Sequence, residues 1–316
     1  MDGAPQNESA EDVPKYVVGN KLHQKMPSVS IVIPVLNRAA YLPELFQTLE
    51  AVTYEQVEVV LVDNGSVDDS LALCRDFSQR TAKSVRVVEE PAPGACAARN
   101  RGLAECQSEW VYFFDSDDLM SASFLSEVMP SAADCDMLVV PTMQQVGERT
   151  ARRDFVVSDA VASQILSSSL NTQGMLWRTQ FLKSIGGWNE SLLIWNDWEL
   201  AIRALLHSPR ICWLPEKSYH LIRVHADSIT GPSLASRYDR CMHTMEVVEK
   251  ELSNPQDLRA LDFRRAIFCG KAHAAMSVPH RPGNGLLHRM LCRLLWAYSA
   301  CGGRGAWRIA LFALQK

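Results

Sequence analysis

Residues 28–63 read SVSIVIPVLNRAAYLPELFQTLEAVTYEQVEVVLVD, and this stretch decides the fold. Its first eight residues are a nearly continuous β-branched run, which suits a strand buried on both faces of a parallel sheet. Leu42, Leu45, Phe46 and Leu49 then recur at helical spacing over 39–50, and QVEVVLVD (56–63) returns to strand character. Two such strands joined by an amphipathic helix make a parallel βαβ unit. The rhythm continues downstream. DDSLALCRDF (68–77) reads as helix, SVRVVE (84–89) as strand, GACAARNRGLAEC (94–106) as helix and EWVYFFD (109–115) as strand. The expected class is α/β, a Rossmann-like and mostly parallel sheet flanked by helices. After residue 150 the pattern loosens into a Trp-rich segment, 174–207, that ends in a clear helix, and RICWLP (210–215) reads as a strand beside it.

The rest of the chain narrows the reading. Of its 316 residues 47% are hydrophobic and 22% charged, enough apolar material for a large core. Residues 1–27 read as a disordered lead-in, polar and acidic, without the apolar centre of a signal peptide. The net charge is −4, yet nine Lys and Arg follow Asp262 with no acid among them, which leaves −13 on the first 262 residues. An acidic body argues against nucleic acid as the partner and leaves the basic tail to meet something anionic. Residues 233–316 read as a helical basic region, in which Leu287, Met290, Leu291, Leu294 and Leu295 share one apolar face. That face suits an anionic membrane surface, or equally a packing or dimer contact. Nine cysteines without a Cys-x-x-Cys pair read as reduced thiols of a cytoplasmic protein, and no apolar run is long enough to span a bilayer.

Parallel sheets bind ligands beyond the carboxyl ends of their strands. Asn37 follows the first strand, Asp63 ends the second, and Asp115-Ser116-Asp117-Asp118 follows the fourth. Three carboxylates in four positions repel one another unless a cation compensates, and their hard oxygens suit Mg²⁺ or Mn²⁺ bridging a diphosphate. A solvated acidic turn that caps the next helix is the plainer alternative. Asp63 is placed to accept a hydrogen bond from a base or a ribose, beside a turn at Asn64-Gly65-Ser66 that an Asx-turn accounts for. Asn196 and Glu199 have the spacing of a capping pair, which puts Asp197 in the first helical turn, where the dipole favours its ionised form. Flanked by Trp195 and Trp198, Asp197 is a candidate base for a sugar hydroxyl, with a structural cap as the alternative. His225 is either a metal or diphosphate contact or a partly buried polar residue. Neither a Gly-x-Gly-x-x-Gly nor a Walker A loop is present.

Together SIVIPVLNRAAYL, VVLVDNGSVDDS, PGACAARNRGL, YFFDSDDLM, GGWNESLLIWNDWEL and RVHADSIT resemble, in order and spacing, the family 2 glycosyltransferases of GT-A fold. The resemblance covers about 28–230. It implies a GT-A domain over 28–232, with a nucleotide-binding half at 28–120 and an acceptor-binding half at 121–232. It implies an inverting transfer from a nucleotide-sugar donor, most commonly a UDP-sugar, to a glycan or glycolipid acceptor, with Mn²⁺ or Mg²⁺ as cofactor. By the same resemblance Pro34 to Asn37 border the base, with Asp63 on the base or ribose, and Arg99 and Asn100 lie near the donor. Asp115 and Asp117 form the metal motif, with Asp117 the direct ligand, and His225 sits near metal and diphosphate. Asp197 is the general base, and Gly186, Gly187 and Trp188 shape the sugar and acceptor pocket together with Trp195 and Trp198. Leu36 departs from the family pattern, because many relatives carry an aromatic there. Such an enzyme fits the inner face of a membrane. Two rival readings are a non-catalytic nucleotide-binding scaffold of the same fold and a nucleotidyltransferase, though PVLNRAAYL lacks the glycines of a triphosphate-gripping loop.

Overall fold

The computed structural model describes residues 26–146, 148–155, 157, 160–216, 219–224, 234–252 and 267. In chain order the strands are β1 (Val29–Val35), β2 (Val57–Asp63), β3 (Ser84–Glu89), β4 (Trp110–Phe113), β5 (Met137–Val139), β6 (Thr142–Val146), β7 (Arg149–Arg153), β8 (Met175–Arg178), β9 (Ile211–Trp213) and β10 (Leu221–Val224). The helices are α1 (Leu42–Glu50), α2 (Ser70–Arg80), α3 (Ala95–Glu105), α4 (Phe124–Val128), α5 (Ala160–Ser167), α6 (Thr179–Ser184), α7 (Asn196–Leu206) and α8 (Leu234–Glu251).

Seven strands form one sheet in the order β3-β2-β1-β4-β8-β5-β9, and β10-β6-β7 form a second, smaller one. In the large sheet β8 alone runs antiparallel to its neighbours β4 and β5. Alternate residues of each strand feed two cores, as the period-two geometry of a strand requires. Ile31, Ile33, Leu61 and Tyr112 face α1, α2 and α4, while Val32, Val60, Val62 and Phe113 face α3, α6 and α7. Phe46 of α1 stacks on Phe77 of α2 at 4.1 Å, closing the first layer. On the other face α3 lies close to the sheet, since a Cβ at Gly102 would stand 2.3 Å from a Val32 methyl. Pro34 is tolerated in the central strand because pairing with β4 ends at Val32, so one side of β1 needs no donor there.

The early strands and helices follow the sequence rhythm within a few residues. The second sheet and the short strands β5 and β8 were not anticipated. Helix α8 packs on α7, where Cys241, Met245 and Val248 meet Ile194, Trp198 and Ile202 in a third apolar cluster. Among the described residues no helix is long and apolar enough to cross a membrane. The apolar face expected over 287–295 lies outside the described residues.

Candidate active site

The carboxyl ends of β1, β2 and β4 meet at one edge of the sheet, and the loops there are laced to one another. Asn37, at φ 53, donates its N–H to Ser66 Oγ (3.0 Å) and accepts Val67 N–H on Oδ1 (2.9 Å). Arg38 N–H donates to Ser70 Oγ and Ala39 N–H to Asp68. Asn37 thus fixes the first loop against the second. Asp63 is 3% exposed; Oδ2 accepts the N–H groups of Gly65 and Ser66 at 3.1 Å each. Its Oδ1 is buried without a hydrogen-bond partner. A buried carboxylate oxygen left without a donor is costly, and a ligand hydroxyl or N–H would relieve that cost.

The acidic loop after β4 is divided among three roles. Asp115 accepts a 2.8 Å ion pair from Arg99 and a 2.9 Å hydrogen bond from Gln173. Asp118 is 2% exposed, takes donors from Gln173 (2.5 Å) and Arg223 N–H (2.7 Å), and burial pushes its carboxyl up to about 8. Asp117 is 17% exposed with Arg38 at 3.5 Å, and its carbonyl accepts the Arg223 guanidinium (2.7 Å). A hard carboxylate that reaches the surface at a strand end fits a divalent cation shared with a diphosphate. Among the described residues no three His, Cys, Asp or Glu gather into a closed metal site. Ligand oxygens would therefore have to complete the coordination, the usual arrangement for Mg²⁺ in phosphate sites. His225 lies outside the described residues.

Arg99, on α3, joins the acidic loop to α7. It is 6% exposed, spans Asp115 and Asn196 Oδ1 (3.4 Å), and its guanidinium lies 4.5 Å from the centre of the Trp188 ring. Burial alone would lower its pKa, but Asp115, Cys96 and Asp197 together outweigh it and hold the pKa raised. The expected capping pair does not form. Glu199 is wholly buried and turns to Arg203 (2.6 Å), Asn196 turns to Arg99, and the residue before α7 is Trp195 in a left-handed conformation, φ 54. Asp197 sits in the first turn of α7, as expected, and accepts Trp198 N–H (2.9 Å). Its ionisation is not simply favoured: burial raises its carboxyl pKa, opposed by Arg153 and Arg99. A carboxyl raised in this way is a stronger base when it does ionise.

Through residues 30–177 the sequence matches the profile described as Glycosyl transferase family 2. This segment, a little under half of the chain, is what resembles glycosyltransferase family 2. Among relatives, the glycosyltransferase GlyG of Streptococcus pneumoniae serotype 4 is 32% identical over 113 residues, 35% of this chain and 37% of that protein. The chain thus spans little more than a third of that relative's length. The crystal structure of S. aureus TarS 1-349 in complex with UDP-GlcNAc aligns with a TM-score of 0.61 at 18% identity, over 86% of this chain and 90% of that one. The mannosyltransferase PcManGT from Pyrobaculum calidifontis, in complex with GDP-Man and Mn2+, aligns with a TM-score of 0.58 at 16% identity, over 92% and 81%. The mostly parallel sheet flanked by helices is therefore that of GT-A glycosyltransferases.

Within this domain, several of the expected site residues are engaged in framework contacts. Trp188 is 2% exposed and lies under Arg99, with Phe113 edge-on at 5.1 Å, so it offers no face to a sugar. Trp198 is 6% exposed and donates its indole N–H to Gln164 O (2.8 Å). Asn100, expected near the donor, clamps the Gly186-Gly187-Trp188 turn: Oδ1 accepts Trp188 N–H and Nδ2 donates to Trp188 O, both at 2.8 Å. Gly187, at φ 65, is required because a Cβ would stand 2.7 Å from that Oδ1. Trp195 is half-buried and is the one tryptophan of these three with appreciable surface. Gln173 and Arg223 were missed. Arg223 stood in the quoted RVHADSIT motif, where attention went to His225. Gln173 carried no local signal at all.

Proposed function

We propose that the chain is an inverting glycosyltransferase that moves a sugar from a nucleoside-diphosphate sugar to a hydroxyl of a glycan or glycolipid acceptor. One observation carries this reading: the Arg99–Asp115 ion pair ties the loop that carries Asp117 to Asn196 at the start of α7, next to Asp197, while Asp63 Oδ1 is buried without a partner at the end of β2. Asp63, with one oxygen committed to its turn, offers the other to the base or ribose, and Asn37 shapes the loop it rests on. Asp117 would hold a divalent cation, Mn²⁺ or Mg²⁺, with Asp115 kept nearby as the partner of Arg99. When bound, that cation neutralises charge on the departing diphosphate. Asp197 takes the proton of the acceptor hydroxyl as its oxygen attacks the anomeric carbon, and a single displacement inverts the configuration. Residues 28–120 act as the donor half and 121–232 as the acceptor half. The basic C-terminal region, 233–316, meets an anionic membrane at its cytoplasmic face, which retention on phosphatidylglycerol vesicles but not on phosphatidylcholine vesicles would support.

The test is thermal stabilisation by UDP, GDP and dTDP, each with and without Mn²⁺. A nucleotide at ~100 times its dissociation constant adds about 2.7 kcal/mol. Stabilisation by one nucleotide that needs Mn²⁺ and disappears in Asp117→Asn is the expected result. No metal-dependent stabilisation by any of the three would refute the reading. UDP is expected to be the best of the three, in keeping with the UDP-GlcNAc bound to TarS.

A further inference from the structure

Neighbouring carboxylates repel, and donors must be found to hold them in one geometry. For the acidic loop the donor comes from 55 residues further along the chain. Gln173 is 2% exposed, and its side-chain amide donates to Asp115 Oδ2 at 2.9 Å and to Asp118 Oδ2 at 2.5 Å. Topology delivers it there. Strand β8 runs antiparallel to β4 with Tyr112 opposite Leu176, and extending that register three residues beyond this pair sets Gln173 against Asp115.

Its backbone is seated as firmly as its side chain. The Gln173 carbonyl accepts the Tyr112 hydroxyl at 3.0 Å. Asn171 Oδ1 caps the 3-10 turn Thr172–Gly174 by accepting Gly174 N–H at 3.0 Å. A Cβ on Gly174 would stand 2.9 Å from Val140 O, so the turn has no room to drift. On the far side, Arg223 N–H fixes the other oxygen of Asp118 and its guanidinium fixes the carbonyl of Asp117. The peptide of Asp117 is therefore gripped on both flanks, while its carboxylate reaches the surface.

We propose that Gln173 is the positioning residue of the acidic loop: by donating one amide to Asp115 and Asp118 together, it sets how Asp117 presents its carboxylate to a divalent cation carrying a nucleoside diphosphate. This rests on the donor-site reading above. A methionine has the length of glutamine without the donors, and an asparagine has the donors without the reach. Residues behind a metal ligand typically change affinity by about 10–100-fold when removed.

Calorimetric titration of UDP and GDP, each with and without Mn²⁺, measures the factor by which the metal tightens nucleotide binding. Gln173→Met should lower that factor by about 10–100-fold and leave metal-free nucleotide binding unchanged. Gln173→Asn should lower it less. Asn171→Ala loosens the same turn without touching either carboxylate, so it should lower the melting temperature and keep the factor. A wild-type factor in Gln173→Met overturns the inference, as does one in Gln173→Asn should the first variant not fold. An equal loss in Asn171→Ala also overturns it, since the role would then be structural. Wild-type protein whose binding of both nucleotides is indifferent to Mn²⁺ overturns the donor-site reading and the inference with it; variants that match a metal-responsive wild type overturn the inference alone.

Discussion

Gly187→Ala tests whether the turn after α6 is held by the clash geometry described above. The backbone there is at φ +65, which costs an L-residue about 1–2 kcal/mol. The new methyl would stand 2.7 Å from Asn100 Oδ1, so Asn100 must move. That side chain is not free to swing, because it holds both the N–H and the carbonyl of Trp188 and also donates to Glu190. Each such bond is worth about 1 kcal/mol net. The expected total is about 2–4 kcal/mol, read by urea unfolding with linear extrapolation. Gly65→Ala supplies the control, since Gly65 also has positive φ but nothing lies within 4 Å of its Cβ position. It should cost only the backbone part, about 1–2 kcal/mol. With Asn100→Ala already in place, Gly187→Ala should also fall to that level, giving a non-additivity of about 1–2 kcal/mol. Equal costs at Gly187 and Gly65, or simple additivity with Asn100→Ala, would refute the clamp.

Arg99→Met strips the cation from between Asp115, Asn196 and the Trp188 ring. The expected loss is about 2–4 kcal/mol, discounted from the ~3–5 of a fully buried pair because Asp115 is 31% exposed. A urea midpoint close to wild type would show that the pair is not a strut. Asp197→Asn should cut turnover by ~10²–10⁴ while sparing nucleotide affinity. Since burial raises the Asp197 carboxyl and the base acts deprotonated, kcat/KM should fall on the acid side at a higher pH than an ordinary carboxylate would give. Activity that stays level through the ordinary carboxylate range would exclude Asp197 as the base. Glu251 of α8 faces Glu199 and Arg203, and burial together with Glu199 pushes its carboxyl up to about 8. The native protein then holds a proton that the unfolded chain has released, so this contribution to stability is full in acid and is lost as pH rises toward 8. Glu251→Gln should flatten that fall in melting temperature, and an unchanged pH slope would refute the coupling.

The first four strands and three helices were legible because short stretches rich in β-branched and aromatic residues alternate with longer helix-forming stretches. Later elements defeated that approach for physical reasons. Strand β7 is RTARR, an exposed strand with no apolar face to betray it, and β5 is only three residues long. Strand β8, MLWR, is only four residues long and lies in a segment of mixed polarity without a period-two pattern. At the candidate site, Asp63, Asp115, Asp117 and Asp197 could be singled out because strand ends and helix starts leave a local mark. The framework contacts of Trp188 and Asn100 were not legible, because sequence reveals that a residue is polar or aromatic, not what it packs against. Gln173 was invisible because its meaning lies in the register between β4 and β8, which no local window contains.

The left-handed Trp195 shows how the framework supports the chemistry. A bulky residue at φ 54 is strained by about 1–3 kcal/mol and persists only where its surroundings over-determine it. Those surroundings are specific. Just before it, the Ile194 carbonyl accepts the buried Thr244 hydroxyl of α8 at 3.0 Å, and just after α7 begins, the Trp198 indole is tied to Gln164 of α5. The rings of Trp195 and Trp198 meet edge to face at 6.0 Å. Helices α5 and α8 therefore hold both ends of the kink, and the kink fixes the angle at which α7 starts. Asp197 is the second residue of that helix, so the direction of the candidate base is set by the packing of α7 against α5 and α8.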